Sequence, residues 1–92
     1  MIEPKDIELI QTCGAYPERY DAYYKDKYVG YLRLRHGFFT VDYMDKNIYE
    51  AYPKGDGIFE PDERDKYLYE SRSVIAKHIN DQQTKELEKE HE

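Results

Sequence analysis

The chain reads as an α+β domain, a four- or five-stranded antiparallel sheet in meander order with one long C-terminal helix packed on one face. Three observations carry that reading. The run Val29 to Tyr43 alternates apolar and polar residues on both sides of His36-Gly37, the mark of two strands joined by a two-residue turn. Beyond Pro61 the spacing changes, and Leu68, Ser71, Val74, Ile75, His78 and Ile79 recur at the interval of about 3.6 residues that places them on one side of a helix. The remaining short runs are separated by clusters of glycine, proline and charged residues, which punctuate a meander.

Taken in order, Ile7 to Thr12 alternates weakly and suits a strand at a sheet edge, before Gly14 and Pro17 interrupt it. Arg19 to Tyr24 follows as a second strand. A three-residue loop, Lys25-Asp26-Lys27, would set Tyr20 opposite Leu32 and turn Tyr20, Ala22 and Tyr24 toward the core. A two-residue loop would instead oppose Asp21 to Leu32 and bury a carboxylate. In the central hairpin, pairing Arg35 with Phe38 places Leu34 beside Phe39 and Leu32 beside Val41 on the core face. The same register pairs Arg33 with Thr40 and Tyr31 with Asp42 on the other. Met44 to Asn47 reads as a turn and Ile48 to Tyr52 as a last strand. Pro53 to Gly57 is a loop by composition. Pro61 opens the helix, with Glu60, Asp62 and Glu63 where the helix dipole favours negative charge. Residues 1–79 form the domain, and 80–92 read as a charged helical extension or a frayed tail.

At 92 residues the chain supports one modest core. Its 39% apolar content lies below the globular norm and its 37% charged content well above it. Eleven tyrosines stand against three phenylalanines and no tryptophan, so tyrosine must serve both core and contact surface. About half are expected in each role, with Tyr23, Tyr28, Tyr31 and Tyr49 as an exposed contact set. The net charge of −6 argues against duplex nucleic-acid binding and leaves a basic protein surface open as a partner. A single cysteine, Cys13, can form no internal disulfide, which favours a reducing, cytoplasmic setting. No apolar stretch suits a signal peptide or a membrane span.

The strongest polar constellation is the hairpin face turned away from Leu32 and Leu34. Tyr31, Arg33 and Arg35 lie on one strand, Phe38, Thr40 and Asp42 across from them, and Arg19, Asp21 and Tyr23 on the neighbour. Two arginines two residues apart project on the same side, roughly 7 Å from each other along the strand. They could clamp an anion or two carboxylates, and arginine also stacks on tyrosine. The plainer alternative is a solvated ladder of opposite charges. Other candidates are weaker. His36, His78 and His91 lack metal-type spacing, and Cys13 has no adjacent basic activator. Gly55-Asp56-Gly57 lacks the lysine and hydroxyl of a phosphate loop. The acidic run from Glu86 to Glu92 suits solubility or docking on a basic partner. No residue pair reads as nucleophile and base, so no catalytic residue, metal or cofactor is assigned.

The motifs Cys13-Gly14, Pro17-Glu18, Tyr20-Asp21, Val29-Gly30-Tyr31-Leu32-Arg33-Leu34-Arg35 followed by Gly37, Val41-Asp42-Tyr43, Ile48-Tyr49, Gly57-Ile58-Phe59 and Glu63 to Leu68 resemble a group of small proteins of phages, prophages and mobile elements of Gram-positive bacteria. The likeness spans about residues 13 to 79. The chain departs from that group in a short connection from Tyr43 to Ile48 and in its charged tail. The resemblance implies a stoichiometric binder in the bacterial host cell, one that inhibits a host macromolecule such as a defence-system effector. A sponge for a small nucleotide signal, with Arg33 and Arg35 on phosphates and Tyr31 or Phe38 on bases, is the second expectation, and a structural interaction module the third. A homo-oligomer is compatible with each.

Overall fold

The computed structural model describes the backbone of residues 1–90 and the side chains of residues 1–82. Its five strands are β1 (Ile7–Gly14), β2 (Glu18–Tyr24), β3 (Lys27–Arg35), β4 (Phe38–Tyr43) and β5 (Lys46–Ala51), and they are followed by one helix, α1 (Arg64–Glu90). The strands lie side by side in chain order, each antiparallel to its neighbours. The fold is therefore the α+β meander the sequence predicts. The acidic run from Glu86 lies beyond the described side chains.

The central hairpin has the predicted register, with Leu34 opposite Phe39, Leu32 opposite Val41, Arg33 opposite Thr40 and Tyr31 opposite Asp42. Its turn places His36 and Gly37 at φ 54° and 73°, the left-handed pair that matches strand twist in a two-residue turn. Tyr20 does oppose Leu32, but not by way of a three-residue loop. The β2–β3 turn is Lys25-Asp26 alone, both left-handed at φ 50° and 64°, and Tyr24 pairs with Lys27. An irregularity between Ala22 and Tyr23, opposite Tyr28 to Gly30, adds the residue that the short turn omits. Gly30 borders this bulge, and β4 on its other side leaves no room for a side chain, because a methyl group there would overlap the Asp42 carbonyl. A glycine inside a strand is the sequence signal for that bulge. The last strand starts at Lys46 rather than Ile48, and a second irregularity near Asp42 and Asn47 sets its register.

The core lies between the sheet and α1. Tyr20, Ala22, Leu32, Leu34, Phe39 and Val41 are all buried on the sheet's inner face, against Ser71, Ile75, Ala76 and Ile79 of the helix. At one end Phe39, Phe59 and Tyr67 form an aromatic cluster with centroids 5.0 to 5.8 Å apart. Two buried carboxylates hold the loop that leads to the helix. Glu63 accepts the amides of Lys54, Gly55 and Glu60, each at 2.9 Å. Glu18, fully buried on β2, accepts the Tyr20 hydroxyl, the Phe59 amide and two bonds from the Arg64 guanidinium. Burial pushes both carboxyls up, but those donors outweigh it and hold them below the ordinary value. At the other end Asn80 exchanges two hydrogen bonds with the backbone of Ile2. Of the acidic residues near Pro61, Glu63 thus caps the preceding loop and Asp62 pairs with the exposed Lys54 ammonium at 3.3 Å, while regular helix begins at Arg64.

Candidate binding surface on the open sheet face

Because side chains alternate along a strand, the residues between the core positions form a second face that no element of the described chain covers. Register aligns this face in rows across the strands. Arg35 and Phe38 make one row, and Arg19, Arg33, Thr40 and Glu50 the next. Ile10, Asp21, Tyr31, Asp42 and Asn47 form a third. Glu8, Tyr23 and Tyr28 form the fourth. All seven sequence-predicted binding residues, Arg19, Tyr23, Tyr31, Arg33, Arg35, Phe38 and Asp42, fall on this one face.

Its electrostatics are uneven. Arg19 and Arg33 are directly opposite each other, an arrangement that costs energy unless counter-charge is near. The Arg19 guanidinium sits 4.7 Å over the Tyr31 ring and 3.9 Å from Asp21, too far for a hydrogen bond. The Nε of Arg19 and the Oδ1 of Asp21 are both shielded from solvent without a hydrogen-bond partner. Asp42 accepts Asn47 at 3.0 Å. The Asp42 carboxylate across from it, with burial second, raises the Tyr31 pKa, and burial followed by the charge of Asp21 raises that of Tyr28. Among the described residues, neither Arg33 nor Arg35 has a carboxylate within ion-pair distance.

These two arginines, with His36, Phe38 and Thr40, line an open depression of about 350 Å³. Tyr52 packs against Phe38 at 5.2 Å with the rings tilted by 34° and is 79% exposed, which extends the aromatic rim beyond what the sequence indicates. Its place depends on the β4–β5 register, which the sequence leaves ambiguous. Tyr23 and Tyr28 meet edge to face at 5.9 Å at the far end.

Tyr49 does not belong to this surface, contrary to expectation. It pairs with Val41 on the inner side, donates to Glu70 at 2.6 Å and meets Phe39 edge to face. The His78 ring packs against Tyr43 at 4.6 Å, tilted by 53°, and the Cys13 thiol lies against the Ala15 carbonyl at 3.5 Å. Among the described residues, no group of three or more histidine, cysteine or acidic side chains comes together, and no helix is long and apolar enough to cross a membrane. No protein-family model matches the chain, and no curated protein or solved structure matches it either.

Proposed function

We propose that this protein acts by stoichiometric binding, with the open face of its sheet gripping an acidic surface of a macromolecular partner. The carrying observation is that Arg33 and Arg35 have no carboxylate partner among the described residues, on a face where a third arginine already opposes one of them. Arginine and tyrosine dominate binding hot spots because each brings large area together with directed hydrogen bonds. Tyr23, Tyr28, Tyr31, Phe38 and Tyr52 supply that area here. The proposed target, resting only on the resemblance read from the sequence, is a macromolecule of the bacterial host such as a defence-system effector whose activity the complex blocks.

Affinity purification from a host with intact defence systems, followed by co-elution of the purified pair on size exclusion, tests this reading. Wild type should carry a partner in fixed ratio, and Arg33→Ala plus Arg35→Ala should lose it while remaining folded. Equal capture by that variant would overturn the proposal.

The depression beside Arg33 and Arg35 favours a second reading, in which a small nucleotide places phosphates on the guanidiniums and a base on Phe38 or Tyr52. Its expected sign is a thermal shift on adding cyclic dinucleotides or ADP-ribose derivatives, absent from the double variant.

A further inference from the structure

We infer that the open face is self-complementary and that two copies of this chain pack through it as a two-fold dimer, with Arg19 and Arg33 of each copy set against Asp21 and Asp42 of the other. The inference goes beyond the partner reading: the second copy and the target compete for one surface, and the free protein must part to bind.

The rows across the sheet decide the geometry. All three arginines of the face lie in the first two rows, while Asp21, Asp42 and Glu8 lie in the last two, with Glu50 alone among the carboxylates at the basic end. A two-fold axis between stacked faces lies in the plane of contact. If it ran along the strands, each row would meet its own copy and Arg33 would face Arg33. If it runs across the strands, between the second and third rows, those two rows exchange. Arg33 then rests over Tyr31 of the second copy, flanked by that copy's Asp21 and Asp42, and Arg19 rests over Asp21. The first row meets the fourth, which brings Arg35 over Tyr28. Strands in such a sandwich stay within about 30° of parallel or antiparallel, the ordinary aligned packing of two sheets.

This arrangement supplies what the single chain lacks. Arg33, with no carboxylate within ion-pair distance among the described residues, gains two, and Arg19, 3.9 Å from Asp21 of its own chain, gains the Asp21 of the other. Repulsion does not forbid the contact, because three cations and four carboxylates nearly balance on this face while the whole chain carries −6. Five strands about 4.8 Å apart and four rows about 7 Å apart give a flat area on the order of 500 Å². That is below the usual figure of about 800 Å² per partner, so the dimer is a weak one that a better-matched target can displace.

Sedimentation of the wild-type chain from about 10 µM to about 1 mM, concentrations that bracket weak association, should show a monomer shifting to dimer, less so at high salt. Arg33→Glu alone and Asp42→Arg alone should each weaken dimerisation by about a hundredfold, as like charges forced together do. Mixing the two variants should restore a one-to-one dimer. The carboxylate introduced by Arg33→Glu in one copy then meets the guanidinium introduced by Asp42→Arg in the other, while the second symmetry-related contact and both Arg19–Asp21 contacts stay native. An intermolecular nuclear Overhauser effect from Tyr31 to Arg33 in a half-labelled wild-type sample checks the same contact without any substitution. A wild type that stays monomeric throughout overturns the inference. So does a dimer indifferent to Arg33→Glu, a mixture that fails to re-form one, or a dimer without the Tyr31–Arg33 contact. Partner capture separates the two readings. A monomer that still captures its target through Arg33 and Arg35 removes the dimer alone, and a dimer whose arginines are dispensable for capture removes the partner reading alone.

Discussion

Replacing Glu18 by glutamine should destabilise the protein by about 3 kcal/mol, although it alters one atom. The carboxylate is fully buried and receives four donors, the Phe59 amide and Arg64 Nη2 on Oε1, the Tyr20 hydroxyl and Arg64 Nε on Oε2. A glutamine amide nitrogen must occupy one of those positions and present hydrogens to hydrogens. The better choice puts it on the Oε2 side, where the tyrosine hydroxyl can turn to accept, but the Arg64 Nε–H still meets an N–H. At least one charge-assisted bond, at about 1.5 to 3 kcal/mol, is lost and the arginine loses its counter-charge. Breaking a buried pair by removing one member costs about 3 to 5 kcal/mol. The Arg64 side chain is 33% exposed, so water solvates part of it and the lower end applies. At about 4 to 8 °C per kcal/mol for a domain of this size, the melting temperature should fall by roughly 12 to 24 °C. Denaturant unfolding measures the loss directly, and a double-mutant cycle adding Arg64→Met should return a coupling on the order of 2 kcal/mol. A glutamine variant within about 0.5 kcal/mol of wild type, or strict additivity with Arg64→Met, would refute the reasoning.

Three further outcomes follow from the same structure. Leu34→Ala, in the core, should cost about 2 to 4 kcal/mol, while Arg33→Ala on the open face should stay within about 0.5 kcal/mol in the same titration, and the reverse ranking would mean the two faces are interchanged. Because the folded-state pKa values of Glu18 and Glu63 lie below the ordinary 4.5, the stability they contribute is whole above that value and lost as the pH falls through the lowered ones. Urea midpoints should therefore drop on acidification, and less steeply in Glu63→Gln. Burial first, then hydrogen bonds to Glu18 and Glu70, push the hydroxyls of Tyr20 and Tyr49 up to about 12. Their tie to the fold holds below the normal value of 10.0 and is lost as the pH rises through about 12. Ultraviolet titration should accordingly show two tyrosines ionising after the rest, with Tyr49→Phe removing one of them.

Much of this architecture is legible in the residues alone. The hairpin from Val29 to Tyr43 satisfies both faces in one register, so its pairing and the side on which Arg33 and Arg35 project follow from alternation. What stays hidden depends on contacts distant in sequence or on an extra residue in a strand. The turn at Lys25-Asp26 looks too short because the bulge near Gly30 that compensates for it breaks the period-two count. Tyr49 resembles a surface tyrosine because its burial depends on Glu70, twenty-one positions away. Glu18 carries no sign of being buried, since its partner Arg64 is forty-six positions on. The unmatched charges of the open face likewise appear only when five strands are set side by side, β1 and β5 included.

The seam between Ile2 and Asn80 closes a circuit of seventy-eight residues, while every strand neighbour in the meander is also a neighbour in the chain. Hairpins of that kind zip in microseconds, whereas a latch joining opposite ends of the sequence must wait for everything between them. Contact order thus predicts that docking of α1 onto the sheet is the late event in assembly. The same argument predicts its release as the first step toward unfolding, one that would lay bare the buried apolar ribbon of Leu32, Leu34, Phe39 and Val41. Agents that pry the helix loose at either of its two fastenings should expose that ribbon to proteases and to aggregation well before the strands themselves let go.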